Sequence, residues 1–249
     1  MINWKNLSIS ATFLLSSFSY ADTNNVEFDL IGSYAQTSNP ITVDTKTFSF
    51  KTGAVGLRAS LGDDDNGRFH LQYGVAYSPS ENASFHDAKL SGSISVQSYG
   101  YGYTYPIKIN NSPISFDLNI NNVTNKHTGS SFTGTHNLNN VNATVNATSD
   151  FMRAGLGMNY EFDKDHDITI GFGRLNWTID ASANGKRTDQ NITFATDINA
   201  NGDDDYYYVE SSLRIMNEPV KVGYRRSNLT TDVSNTLNEV YFQTPVNWF

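Results

Sequence analysis

From Val26 onward the chain falls into about ten segments in which every second residue is apolar, joined alternately by short turns and long polar stretches. Residues 67–78 show the pattern most clearly. Phe69, Leu71, Tyr73, Val75 and Tyr77 share one parity, and Arg68, His70, Gln72, Gly74, Ala76 and Ser78 the other. Successive side chains of a strand point to opposite faces, so this segment has one oily and one wet face. A soluble sheet can hide such a face in a core. The alternation of tight turns with long polar connections is instead the rhythm of an antiparallel barrel that crosses a membrane, with its tight turns on the periplasmic side.

The pattern predicts strands over 26–34, 48–61, 67–78, 90–105, 114–121, 152–162, 168–177, 207–215 and 220–226 and over the last residues of the chain. The expected fold is therefore all-β, a closed antiparallel transmembrane β-barrel of about ten strands, with both chain ends on one side. Twelve strands would follow if 128–149 or 188–198 added a hairpin within the membrane, and eight if two weak segments were loop. Two segments change apolar phase. In 48–61 the apolar set passes from even (Phe48, Phe50) to odd (Val55, Leu57, Leu61) around Gly53, which reads as a β-bulge or the barrel mouth. In 90–105 it passes from Leu90, Ile94 and Val96 to Tyr99, Tyr101, Tyr103 and Tyr105, and the four tyrosines read as an interfacial belt. Residues 122–149 and 180–205 are expected as long extracellular loops, although the alternating run 141–145 would suit a strand continued past the membrane.

The N-terminus fits export. Residues 1–21 carry Lys5, then an apolar and small stretch from Leu7 to Phe18, and end Ser19-Tyr20-Ala21, as a cleavable signal peptide does. The expected organisation is a signal peptide over 1–21 and one barrel domain over 22–249. Nowhere else does the sequence approach ~18 continuous apolar residues, which excludes membrane helices. The mean hydropathy of −0.43 is compatible with a barrel, because alternation hides the lipid face. There is no cysteine, so stability must come from closed strand pairing rather than disulfides. A net charge of −8 without any Lys/Arg cluster excludes nucleic acid as a partner.

The wet faces carry Glu27, Asp29, Arg68, His70, Asp117, Arg153, Glu161, Glu210, Arg214, Lys221 and Arg225. Acids and bases are mixed, as expected of charges that pair inside a narrow, filled barrel. His70 has no nucleophile near it in sequence, and no catalytic or cofactor-binding set stands out. Asp197, Asn199, Asn201, Asp203 and Asp205 have the alternating oxygen spacing of a calcium loop, with Gly202 among them, but Tyr208 stands where the closing glutamate belongs. An acidic turn before a strand is the favoured reading of that segment.

The last ten residues, Val240-Tyr241-Phe242-Gln243-Thr244-Pro245-Val246-Asn247-Trp248-Phe249, resemble the terminal strand of Gram-negative outer-membrane β-barrel proteins. Phe249 matches the final aromatic that the barrel-assembly machinery recognises in that superfamily, and Tyr241 the frequent aromatic eight residues earlier. Gln243, Pro245 and Asn247 depart from its preference for apolar residues. The resemblance implies a bacterial outer-membrane location, outer-membrane lipid and lipopolysaccharide as surroundings, and the assembly machinery as a partner during biogenesis. Size and the lack of a further domain look like a solitary autotransporter-like barrel or a small adhesin- or resistance-type barrel. The strand count is also similar to that of the omptin proteases, but no histidine follows an aspartate by two residues at a plausible outer rim. Asp165-His166-Asp167 falls in a turn assigned to the periplasmic side. The expected role is non-enzymatic: a barrel presenting Asn/Thr-rich loops for structural integrity or surface interaction. A narrow pore for small solutes is the alternative, and a surface hydrolase or protease a more distant one.

Overall fold

Antiparallel hairpins follow one another along the chain in the computed structural model, which describes residues 26–246 apart from 44–45, 50, 64, 86–87, 137–138, 188–192, 216–217 and 233. The expected signal peptide and Phe249 lie outside the described residues. The strands are β1 (Val26–Thr37), β2 (Ile41–Val43), β3 (Lys46–Ser49), β4 (Lys51–Asp63), β5 (Gly67–Phe85), β6 (Ala88–Lys108), β7 (Ile114–His136), β8 (Asn139–Asp163), β9 (His166–Arg187), β10 (Thr193–Ile215), β11 (Glu218–Thr230) and β12 (Ser234–Pro245). Ten of them close a ring, β1-β4-β5-β6-β7-β8-β9-β10-β11-β12, because β5 pairs with β6 and β12 returns to β1. Closure leaves the ring without an edge, which is what a strand must have where no water can satisfy its backbone. The short hairpin β2–β3 stands outside this count and pairs with β5 through β3.

The tight turns at one end are made by short acids and glycines. Asp63 accepts the backbone N–H groups of Asp65 and Asn66 at 2.9 and 2.6 Å, between Gly62 and Gly67, both at positive φ. Asp163 accepts the N–H of Asp165 at 2.8 Å and faces the His166 ring. Hydrogen bonds from Asn66 hold the Asp63 carboxyl below its ordinary range, and the backbone N–H of Asp165 does the same for Asp163. Both chain ends of the described barrel lie at this end, the periplasmic end in the expected orientation.

Outward-facing residues over the middle of the barrel form an apolar band: Val55, Leu57, Tyr101, Leu118, Ile120, Met158, Ile170, Val209 and Val240 are among the large side chains left exposed. In water such a surface would be far larger than a soluble protein tolerates, and lipid is the solvent that suits it. Toward the opposite end each strand continues, but the polarity of its faces inverts. On β6, Tyr99 to Tyr105 face outward, while Ala88 and Leu90, at even positions, are buried inside. On β9, Ile170 and Phe172 face lipid, whereas Leu175, Trp177 and Ile179 point inward. The backbone parity of these two strands is unbroken; what changes is the outside solvent, from lipid to water.

This inversion decides one expectation and corrects two. The change of phase at Gly53 is the barrel mouth and no bulge: Thr52, Ala54, Gly56, Arg58 and Ser60 face in along β4, Gly53 lies beside Tyr34 and Tyr77, and Phe48 also packs into the core. Register shifts occur instead between Ser78 and Glu81 on β5, between His127 and Ser130 on β7 beside Gly129 (φ 70°), and between Glu161 and Asp163 on β8. Among the described residues, those of 122–149 and 180–205 are not loops but the outer ends of β7, β8, β9 and β10, 22 to 25 residues long. Their inner faces carry Phe132, Val141, Ala143, Val145, Ala183 and Ile198 as a second core. The run 141–145 does extend a strand, within β8. Finally, Tyr99, Tyr101, Tyr103 and Tyr105 form a column along β6 rather than a belt. At ~3.4 Å per residue they cover about 20 Å of strand, and the Tyr103 hydroxyl reaches the Asn66 carbonyl in the turn at the other end. The girdle at the outer edge is drawn from several strands, with Tyr34, Tyr77, Tyr99, Tyr207, Tyr224 and Phe172 exposed where the outward residues turn polar.

Candidate functional site

The barrel interior is built in layers. Nearest the turns, Arg68 pairs with Glu27 and Arg214 with Asp165 at 2.9 Å, all at least partly open to water. Above them an interior network ties the closing strands together. Arg58 donates to Gln243 at 2.8 Å and to Gln72 at 3.1 Å, and Gln243 donates to the buried Asp29 at 2.8 Å. Arg225 pairs with Glu239 at 3.0 Å and lies over the Tyr241 ring at 4.8 Å. The Tyr241 hydroxyl donates to Glu210 at 2.6 Å, and Lys221 stands 3.6 Å from the same carboxylate. Buried charges need such partners, and each ion pair here has one.

The next layer is aromatic. Tyr206 and Tyr208 stack at 6.0 Å between ring centres. Asn119 bridges them: the Tyr206 hydroxyl donates to it at 2.9 Å, and its amide donates to the Tyr208 oxygen at 3.0 Å. The rings have room because the facing inner positions of β8 and β9 are glycines. A Cβ on Gly171 would lie 2.1 Å from the Tyr208 ring, and one on Gly155 2.3 Å from the Tyr206 hydroxyl. Arg153, buried, packs its guanidinium over Phe151 at 5.5 Å.

An apolar plug closes the outer half. Ile41, Leu175, Trp177 and Leu229 are each 0% exposed and belong to one cluster with Phe151, Ile179 and Leu237. Ile41 comes from the β2–β3 hairpin, which folds into the mouth; its Val43 and Phe48 touch both the plug and the second core, and Lys46 donates to the Asp197 carbonyl on β10. A buried carboxylate beside the plug, Asp204, accepts from the Trp177 indole at 2.8 Å and from the Thr230 N–H and hydroxyl at 2.9 and 2.6 Å.

Of the wet-face residues expected from the sequence, Asp29, Glu210, Lys221 and Arg225 meet in the network. Arg153 lies above it, and Asp117 is on the inner face of β7. His70 packs its ring on Gly102, where a Cβ would sit 2.5 Å from Nε2, and the buried Ser60 of β4 stands opposite it in the register. Glu161 and Arg214 lie outside this network: both are exposed at the turn end, where the inner face opens to water. Arg58 and Glu239 are central members that the sequence reading left out, although both lie on the wet parity of their strands. Tyr241 faces the lumen rather than lipid, and Val240 and Phe242 occupy the outer face there. Neither the favoured acidic turn nor the calcium loop is found over 197–205. Asp197, Asn199, Asn201, Asp203 and Asp205 are alternate residues of the continuous strand β10, projecting in a row that cannot converge on one ion. Asp205 instead pairs with Arg174 and Asp203 with Asn176, and Gly202 is fixed by Trp177, whose indole would meet a Cβ at 2.8 Å.

No protein-family model matches this chain, and no curated protein does. Solved structures do. The translocator domain of the autotransporter NalP from Neisseria meningitidis superposes with a TM-score of 0.50 at 11% identity, over 96% of this chain and 95% of that one. The outer membrane protease OmpT from Escherichia coli gives 0.48 at 10% identity, over 90% and 95%. The attachment invasion locus protein Ail from Yersinia pestis gives 0.35 at 5% identity, over 89% and 97%. At these identities the likeness is one of fold.

Proposed function

We propose that this chain, whose fold is that of the Gram-negative outer-membrane β-barrels, is a non-conducting and non-enzymatic surface protein. The barrel anchors it in the outer membrane among lipid and lipopolysaccharide, and the prolonged hairpins of β7–β10 present an Asn/Thr-rich face to the outside. One observation carries this reading: the outer half of the interior is filled by fully buried Ile41, Leu175, Trp177 and Leu229. A water-filled path needs polar, hydrated walls, and none passes a plug packed like a protein core. The paired charges below it serve closure of the β1–β12 seam, which Gln243 and Asp29 bridge from inside.

Planar-bilayer recording of the purified, refolded chain tests the reading. The expected result is no stepwise conductance from the intact protein, and conductance after removal of residues 38–49, which takes Ile41, Val43 and Phe48 out of the mouth. Steady conductance from the intact protein would overturn it.

A further inference from the structure

Above the lipid band the outer faces of β7–β10 form one curved sheet of small polar side chains. Close to the band these residues satisfy one another: Arg174 pairs with Asp205 at 2.8 Å, and Asn176 donates to Asp203 at 3.0 Å. At the far end they do not. There the register sets two rows of three, Asn142–Lys186–Thr193 and Thr144–Asn184–Ala195, across β8, β9 and β10. Neighbouring strands stand ~4.8 Å apart and successive rows about 7 Å. Among the described residues, none of these polar side chains hydrogen-bonds within the protein, and no carboxylate pairs with Lys186. The small Ala195 leaves a gap opposite Asn184, and a shallow cavity of about 490 Å³ lies over the grid. Its floor is held from the inside by the Phe194 ring, which occupies the space over Gly185.

We propose that this grid binds an acidic saccharide. The proposal rests on the reading of β7–β10 as the extracellular part. A carboxamide offers a donor and an acceptor side by side, as two vicinal hydroxyls of a pyranose require, and the grid supplies two of them with two hydroxyls. Lys186 at the centre of one row is placed to take a carboxylate by a charge-assisted hydrogen bond while the flanking Asn142 and Thr193 meet ring hydroxyls. A neutral sugar would leave the one cation unused. A bare inorganic anion would leave the amides and hydroxyls unused. The aromatic of the lining, Phe194, lies over Gly185, so the contacts are polar and each is weak. The next row toward the membrane carries the exposed Asp197, which repels a second carboxylate, so a single uronate seated at Lys186 is the chemistry that fits.

The test uses the full chain in nanodiscs, with a mannuronate oligomer as probe and a dextran oligomer of equal length as control, read by ligand-observed NMR and calorimetry. The mannuronate oligomer is expected to bind in preference to dextran. Lys186→Gln should weaken it about tenfold, the loss of one charge-assisted hydrogen bond. Lys186→Arg should retain it, and Ala195→Trp, which fills the gap, should abolish it. Heat-modifiable gel migration certifies that each variant is folded. Absence of mannuronate binding, equal binding of dextran, or binding indifferent to Lys186→Gln would each overturn the proposal. Because binding is measured on isolated protein, it does not depend on which side of the membrane the grid faces. Labelling of Lys186 by an impermeant amine reagent on intact cells tests that separately.

Discussion

Asp204 accepts the indole N–H of Trp177 at 2.8 Å, and the same carboxylate satisfies both the N–H and the hydroxyl of Thr230. These two residues join β9 to β10 and, through Thr230, to β11 at the level where the barrel leaves the lipid band. Asp204→Ala strands two buried N–H groups and should cost about 2–4 kcal/mol. Chemical unfolding of refolded protein, followed by Trp177 emission in a background with Trp248→Phe and Trp4→Phe, measures it. Asp204→Asn, which keeps an acceptor oxygen, should cost less.

The same carboxylate sets a pH dependence. Burial raises its pKa, but the hydrogen bonds from Thr230 and Trp177 together outweigh this and leave it below the ordinary carboxylate value of 3.8. A depressed folded-state pKa contributes stability above the unfolded value that is lost as pH falls through the folded one. Trp177 emission should therefore hold constant from neutral pH to about 4 and shift to the red below it. Asp204→Asn should remove that transition, and a shift already complete at pH 6 would contradict the assignment.

The tyrosine stack depends on the glycines opposite it. Gly171→Ala places a Cβ 2.1 Å from the Tyr208 ring and should destabilise the barrel by about 1–3 kcal/mol, the usual cost of overpacking. In a Tyr208→Ala background the same change should be nearly free. The coupling between the two, read from a double-mutant cycle on thermal unfolding, is the expected outcome; additive costs would mean that the ring does not sit on the glycine.

Arg225 and Glu239 pair at 3.0 Å with both side chains largely buried. Removing the arginine alone leaves an uncompensated charge inside the barrel, so Arg225→Met should cost about 3–5 kcal/mol. The double replacement Arg225→Met with Glu239→Leu should recover most of that loss. Urea or guanidinium midpoints of the two variants and the unaltered chain check it.

The ring of ten strands was legible because alternation inside a lipid band is unambiguous, as at Phe69 to Tyr77. The height of the barrel was not. Above the band the apolar residues move to the inner face, so Leu90, Ile94 and Val96 stand out of phase with Tyr99 to Tyr105, just as they would across a bulge. Residues 122–149 and 180–205 looked like loops because half their positions are Asn, Thr, Ser or Asp. Yet Val141, Ala143 and Val145 in the first and Phe194, Ile198 and Ala200 in the second keep the period of two, and that was the available signal. Tyr206 and Tyr208 escaped because they are aromatic on the wet parity, and Arg58 because it sits alone in a strand of small residues. The carboxylates and amides from Asp197 to Asp205 misled because a spacing of two suits both a calcium loop and the outer face of a strand.

The central claim is that the inversion of polarity marks the outer surface of the membrane, and it can be tested along a single strand. The chain has no cysteine, so nitroxides can be placed one at a time over residues 93–105 of β6 in the membrane-reconstituted protein. Collision with oxygen, which concentrates in lipid, is then compared with collision with a water-soluble nickel complex. Positions 99, 101, 103 and 105 should favour oxygen, positions 93, 95 and 97 should favour nickel, and positions 94 and 96 should resist both. Oxygen preference continuing through 97, 95 and 93, or lipid exposure of 94 and 96, would contradict the account.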